Sequence, residues 1–305
     1  MARSKKAEFL YEEERLKPES DHFTLVFAFS RAWCVWQIFD SLNKMEIPLD
    51  KCHLLIYCNQ DNKILIDSLL QKMKTYEGVF ASMRLYCSYR EGGKCLKGMK
   101  NVGWEDTKLV PIMEMYMDYT KLIKTEVFIN IEDDTYCPPE TIIKLLETME
   151  EYGNKAFVTG IESSRDSDPD KQVCLGVYWL KWKDDMIVEK CALSPKRYNK
   201  VRVHACGHYC FATTKEIWDL GFKDNVLYHE YVMHFAIDVH HTARLNNLGI
   251  PVIADFSIRC AHMHPDPKGV IFWRPSKAVP MLDYWIEKYN TWAICIPLKE
   301  EIKFE

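Results

Sequence analysis

Three short runs in this chain are apolar along nearly their whole length, and they limit the folds open to it more than any other feature. They are Phe23 to Ser30 (FTLVFAFS), His53 to Cys58 (HLLIYC) and Glu126 to Ile131 (EVFINI). A strand that is apolar on both faces has to be covered on both faces, which is the pattern of a parallel sheet packed between helices. Helical spacing follows each run or precedes the next. Apolar positions recur through Ala32–Lys44, Ile64–Met73 and Leu109–Lys124, with a further short strand near Ala81–Tyr86. Pro138-Pro139 then open a helix expected to reach about Tyr152, with proline in the first-turn position it favours. This alternation predicts an α/β fold, a mostly parallel sheet flanked by helices on both faces. Ligands of such sheets sit beyond the carboxyl ends of the strands. Ser30 and Arg31, Asn59 to Asp61, and Glu132 to Asp134 each follow a strand directly, so they are expected to converge on one site.

Composition narrows the function. Lysine and arginine number 40 against 44 acidic residues, a net charge of −4, so the strongly basic balance of a general nucleic-acid binder is absent. With 48% hydrophobic residues in 305, the chain can bury a substantial core. The first residues, Met-Ala-Arg-Ser-Lys-Lys, do not read as a signal peptide, and no apolar run reaches the roughly 20 residues that span a bilayer. The 12 cysteines are scattered through apolar segments, as at Cys34 and Cys58, rather than set in a tight framework. They are expected to be mostly buried thiols in a reducing, cytoplasmic setting. The expected organisation is an N-terminal arm or surface helix (1–21), a catalytic domain (22–268) and a closing segment packed on the same domain (269–305).

Glu132-Asp133-Asp134 places three carboxylates at the end of an apolar strand. Neighbouring carboxylates repel and raise one another's pKa unless a positive charge shares the site. A divalent cation bound to phosphates supplies one, because Mg²⁺ and Mn²⁺ favour oxygen ligands and often take one or two carboxylates plus diphosphate oxygens. The competing reading is a solvated acidic turn ahead of the next helix.

Strand, acidic triplet, Pro138-Pro139 and amphipathic helix together resemble the D-x-D-type motif of glycosyltransferases with the GT-A fold, in a Glu-Asp-Asp variant and in a family-two-like setting. The resemblance implies a divalent cation, Mn²⁺ or Mg²⁺, held by Asp134. It also implies a nucleotide diphosphate sugar whose ribose or sugar faces Glu132; Asp133 and the strand-end residues Ser30, Arg31, Asn59 and Asp61, expected to converge there, then lie on the donor side. Two later regions resemble the same family. Gly207 to Phe222 has the form of a glycine, a strand and a short helix ending in Gly-Phe. Ala236 to Val252 resembles the stretch in which an aspartate opens a helix that carries Arg-Leu and closes at glycine. Asp238 then occupies the position of the catalytic base in inverting members; the plainer reading is a helix cap. Ile237 stands where the family usually has Glu, and Glu230 is the reserve base. A late histidine completes the metal shell in many GT-A enzymes, and His262 and His264 are both candidates, since alternate residues of an extended chain share a face.

Other features carry less. His204, Cys206, His208 and Cys210 have a zinc-like look, but alternate positions on one straight strand cannot surround an ion tetrahedrally. Gly92-Gly93 with Lys94, Lys97, Lys100 and Lys108 reads as a basic loop near donor or acceptor, with no Walker-type sequence. The tail from Ile271 to Trp292 mixes Trp273, Arg274, Lys277, Trp285 and Tyr289, which suit either stacking on a sugar or base or the packed face of a closing helix. The expected activity is metal-dependent transfer of a sugar, from a UDP-sugar first of all, to a hydroxyl acceptor with inversion. A 5-hydroxymethylpyrimidine in viral DNA is one acceptor compatible with a cytoplasmic enzyme, and a cell-surface glycan or protein is the main competitor. From other classes, a nucleotidyltransferase lacks its Gly-rich loop here, and a non-catalytic sugar-binding relative conflicts with the intact acidic triplet.

Overall fold

All seven residues of β2 (Phe23–Phe29) are buried, which puts this strand in the middle of the sheet. Phe23, Leu25, Phe27 and Phe29 enter one apolar cluster, and Val26 and Ala28 enter another on the opposite face. β3 (Cys52–Cys58) and β5 (Val127–Glu132) flank it in parallel, and β4 (Ser82–Cys87) continues the parallel set beyond β3. The computed structural model describes residues 7–88, 115–162, 176–183, 186–192, 200–222, 237–266 and 269–273.

With β1 (Glu8–Glu14), β7 (Phe157–Glu162), β10 (Lys200–Val203), β12 (Cys210–Thr214) and β13 (Val252–Asp266), the strand order becomes β1-β4-β3-β2-β5-β12-β7-β13-β10. β12 is antiparallel to both its neighbours, while β7 and β13 run parallel to each other. β6 (Thr135–Tyr136) and β14 (Gly269–Trp273) pair with β13 outside this path. A separate small sheet joins β11 (Ala205–Cys206), β8 (Val177–Lys183) and β9 (Met186–Ala192). The expected α/β class with a mostly parallel core is what the chain adopts.

Helices cover both faces. α1 (Val35–Lys44), α2 (Lys63–Lys74) and α4 (Thr141–Glu151) send Ile38, Phe39, Leu65, Leu69, Ile142 and Leu145 into the first cluster. A helical segment at 115–120 (α3), α5 (Lys215–Phe222) and α6 (Ile237–Asn247) cover the second with Tyr116, Tyr119, Trp218, Phe222 and Leu245. Burying a large apolar side chain stabilises the fold by about 1.5–3 kcal/mol, so the two clusters account for the three-layer arrangement. α2 starts where Asn62 caps it, its Oδ1 accepting from the amides of Ile64 (3.0 Å) and Leu65 (3.2 Å).

Several local expectations are corrected. Residues 8–14 form β1, antiparallel to β4, rather than the surface helix that is one reading of 1–21. Its burial alternates, with Phe9 and Tyr11 turned inward and the glutamates of the other face exposed, as a charged edge strand requires. The first turn expected of the helix at Ala32 is a 3₁₀ turn over Ala32–Cys34, and α1 proper starts at Val35. The helix expected over Leu109–Lys124 ends sooner: its described part stops at residue 120, and Leu122 N donates to Tyr119 O (2.9 Å) in a tighter turn. Pro138-Pro139 lie just ahead of α4 instead of inside its first turn, because Glu140 is the N-cap and Thr141 Oγ1 closes onto Pro138 O at 2.8 Å.

β13 is the element that positions the site. Its pairing with β7 slips between Ala254 and Arg259, and Asp255 holds the irregular stretch. Asp255 Oδ1 accepts from Ser257 N (2.9 Å) and Ser257 Oγ (2.7 Å), while Oδ2 accepts from Thr148 Oγ1 (3.1 Å). Ile258 then presses on Gly160 of β7, where a Cβ would lie 2.7 Å from Ile258 Cγ2 and 3.1 Å from its carbonyl oxygen. Past this bulge the strand pairs with β6, setting His262 opposite Thr135.

Candidate active site

β5 ends at Glu132, and Asp133-Asp134 form the turn into β6. Both aspartates are buried, at 2% and 1% exposure. Asp133 faces the end of β2. Its Oδ2 accepts from Ser30 N (2.7 Å), Ser30 Oγ (3.2 Å) and Arg31 N (2.9 Å), and the Arg31 guanidinium pairs with its other oxygen. Asp134 Oδ2 lies 3.0 Å from Arg31 Nη1 and 3.2 Å from His262 Nε2. The Asp134 backbone is fixed as well, because its carbonyl accepts from Met263 N at 2.7 Å. Two acids and an arginine from the ends of β5 and β2 therefore meet an imidazole from within β13 at the carboxyl edge of the parallel strands.

Glu132 takes a different direction. Its Oε1 accepts from the Tyr116 hydroxyl of α3 at 2.9 Å, and its amide donates to Tyr209 O at 2.9 Å. Burial pushes the Tyr116 phenol well above its ordinary pKa, with the Glu132 charge and, more weakly, the Asp238 charge adding to the rise. Tyr116 thus links Glu132 to the neighbourhood of Asp238. Asp238 sits in the first turn of α6, and its Oδ1 accepts from Val239 N at 2.8 Å. Its other oxygen lies close to the backbone at Gly207, where an added Cβ would be 3.2 Å away. A glycine at 207 therefore leaves room for this carboxylate.

Sequence reasoning missed Glu162. It ends β7, is 3% exposed, and accepts from Thr135 Oγ1 at 3.0 Å. Burial raises its pKa to about 8, against the pull of His262. The rule that picked out Ser30, Asn59 and Glu132 applies equally to Glu162, since it too closes an apolar strand, Phe157–Glu162.

The remaining candidates separate. Asn59 follows β3 at the same edge, but its amide turns to Met115 Sδ (3.4 Å) and not to the acidic turn. Asp61 is exposed in the same connection. His264, two residues past the β6 contact at His262, pairs in the backbone with Ile271 of β14. Lys108, Glu230, the lysine loop from Arg90 and the tail beyond Trp273 lie outside the described residues. His204, Cys206, His208 and Cys210 do not gather around a point. Cys206 and Cys210 belong to different strands, and His208 Nε2 meets His241 Nδ1 at 3.1 Å. Cys210 packs instead with Cys137 and Cys260, Sγ to Sγ 3.9 Å and 3.6 Å about Cys137. Of the eight cysteines whose side chains are described, all are free and all but Cys87 are buried, as the apolar setting of the cysteines leads one to expect.

The donor set at the acidic turn fits a hard divalent cation. A buried aspartate and an imidazole already share one point, and a guanidinium stands where positive charge is needed. Among the described residues no helix is long and apolar enough to cross a membrane.

No protein-family model matches the chain, and no curated protein matches it in sequence. In three dimensions it is similar to GalNAc-T7 solved with UDP, GalNAc and Mn²⁺, at TM-score 0.56 and 13% identity, over 88% of this chain and 49% of that one. The chain therefore spans about half the length of that protein. A mannosyltransferase of Pyrobaculum calidifontis, solved with GDP-Man and Mn²⁺, aligns at TM-score 0.46 and 11% identity over 80% of this chain and 60% of its own. TarS of S. aureus with UDP-GlcNAc aligns at TM-score 0.42 and 13% identity, over 76% and 55%. The first of these likenesses, together with the strand order, shows that the chain has the GT-A fold.

Proposed function

We propose that this protein is a metal-dependent glycosyltransferase that moves a sugar from a nucleotide diphosphate donor, a UDP-sugar first of all, onto a hydroxyl acceptor with inversion. The observation that carries the reading is the meeting of Asp134 and His262 at the carboxyl edge of the parallel strands. The similar fold of GalNAc-T7, solved with UDP and Mn²⁺, supports it. Asp134 and His262 would hold the divalent cation, which supplies Lewis-acid neutralisation of charge on the diphosphate leaving group. Glu132, oriented by Tyr116, faces the ribose or donor sugar, and Ser30 and Asp133 shape the floor of the donor site. Asp238 takes the proton of the acceptor hydroxyl while that oxygen attacks the anomeric carbon. The bond to the diphosphate breaks and the nucleoside diphosphate leaves. A position at the start of α6 favours the ionised carboxylate that this role needs. In this reading the catalytic domain, expected over 22–268, also takes in β1 at 8–14, and 269–305 is a closing segment of the same domain.

For the acceptor, the lysines of 94–108 and the aromatic tail suit a flipped 5-hydroxymethylpyrimidine. Purified protein with Mn²⁺ and a panel of UDP- and GDP-sugars tests this against hydroxymethylcytosine DNA, glycans and peptides, with the acceptors weighed by mass spectrometry. A mass gain of one sugar on one acceptor supports the reading and identifies the pair. Inverted anomeric configuration in the product supports Asp238 as base, and retained configuration removes it from that role. Absence of any transfer and any donor binding across the panel contradicts the reading.

A further inference from the structure

We propose that Arg31 is a built-in counter-ion of the acidic turn: it fills the cation's place when no metal is bound, and gives way to metal by turning its guanidinium to the donor diphosphate. This rests on the metal-dependent reading above and adds a coupling between metal and donor.

One nitrogen, Arg31 Nη1, contacts both Asp133 Oδ1 and Asp134 Oδ2. The arginine side chain is 29% exposed, against 3% and 1% for the two aspartates, so it closes the mouth of the acidic turn on the solvent side. Two adjacent buried carboxylates need positive charge, and the Arg31 guanidinium supplies it. Asp134 Oδ2 is also the oxygen that His262 approaches. A dication bound there would lie within a few ångström of the guanidinium, and like charges at such a distance repel strongly where water is scarce. Both cannot occupy the point. The backbone needs no rearrangement for the exchange. Asp133 keeps Ser30 N, Ser30 Oγ and Arg31 N whichever way the arginine points, so those bonds pin residue 31 while its side chain swings. Guanidinium pairs with phosphate oxygens through two parallel bonds, so a diphosphate at the site offers the displaced arginine an equivalent partner. Metal alone must therefore compete with Arg31, whereas metal arriving with a nucleoside diphosphate does not. The two ligands should bind with positive coupling that passes through this one side chain.

The test is Mn²⁺ affinity, measured by electron paramagnetic resonance and calorimetry on the full chain, with and without UDP. Wild type is compared with Arg31→Gln and Arg31→Lys. Arg31→Gln is expected to bind Mn²⁺ alone about tenfold more tightly than wild type, and to lose most of the enhancement that UDP confers. Arg31→Lys, a point charge that cannot bridge the two acids in the same way, is expected to fall between them and guards against a folding defect in the first variant. Equal or weaker Mn²⁺ binding by a folded Arg31→Gln protein, with UDP enhancement intact, overturns the proposal while leaving the metal site in place. Failure of both wild type and variants to bind Mn²⁺ even with UDP overturns the metal-dependent reading and this proposal with it.

Discussion

His262 Nε2 lies 3.2 Å from Asp134 Oδ2 although 128 residues separate them in the chain. Nothing local brings them together. The slip of β13 against β7 and its new pairing with β6 carry the imidazole across the sheet edge to the acidic turn.

If His262 is a ligand, His262→Ala should weaken Mn²⁺ binding in the presence of UDP on the order of 100-fold, since even residues behind the ligands usually cost 10–100-fold. His264→Ala should leave that affinity within about twofold, because it is His262, set opposite Thr135, whose Nε2 lies beside Asp134 Oδ2. Electron paramagnetic resonance titrations distinguish the two, and the reverse ranking would assign the metal to His264.

Asp238→Asn is expected to lower sugar transfer by about 10²–10⁴-fold, the usual worth of a positioned general base. The affinity for UDP with Mn²⁺ should stay unchanged, because the carboxylate serves the acceptor. Single-turnover kinetics beside donor binding would show the split. Unimpaired transfer would leave Asp238 as a first-turn acid of α6 and turn attention to Glu230.

Gly160→Ala should destabilise the protein by about 1–3 kcal/mol, as overpacking of a tight core does. The new methyl would meet Ile258 Cγ2 at 2.7 Å and the Ile258 carbonyl at 3.1 Å, and the carbonyl belongs to the bulge that aims β13. Urea denaturation reads the loss directly; an unchanged midpoint would mean that the bulge yields freely.

Acid should weaken the fold through two buried histidines, His53 and His241. Burial lowers His53 to about 4 and His241 to about 3, both from an ordinary 6.5. His53 Nε2 meets His22 Nδ1 at 3.0 Å, and His241 Nε2 donates to Trp218 O at 3.0 Å. Between these values and 6.5 the unfolded chain binds protons that the folded chain does not. Their contribution to stability is therefore complete above pH 6.5 and is lost as pH falls below it. Unfolding midpoints measured from pH 7.5 to pH 4.5 should decline below about 6.5, and less steeply in His53→Gln. Identical slopes in the two proteins would contradict the assignment.

Much of this was legible before the structure. Apolar runs such as Phe23–Phe29 and Val127–Glu132 mark buried parallel strands, and the strand-end rule placed Ser30, Arg31 and Asp133 together. Charge disguised the first strand. In β1, Phe9 and Tyr11 face inward, while Glu8, Glu12 and Glu14 are a solvated edge, and the glutamates hide the alternation. Glu162 escaped notice although it obeys the same rule, because a lone acid after Gly160-Ile161 lacks the signature of a triplet. The meeting of His262 with Asp134 depends on a bulge whose register no periodicity reveals. The bridging of both aspartates by Arg31 is a side-chain arrangement and leaves no trace in spacing.

The most direct measurement of the central claim is nucleoside diphosphate release from a UDP-sugar panel by wild type and Asp134→Asn, with Mn²⁺ and with chelator. The account predicts release by wild type that chelator abolishes and Mn²⁺ restores, and none above background from Asp134→Asn. Release that persists in chelator, or survives intact in Asp134→Asn, would contradict a metal site at this turn.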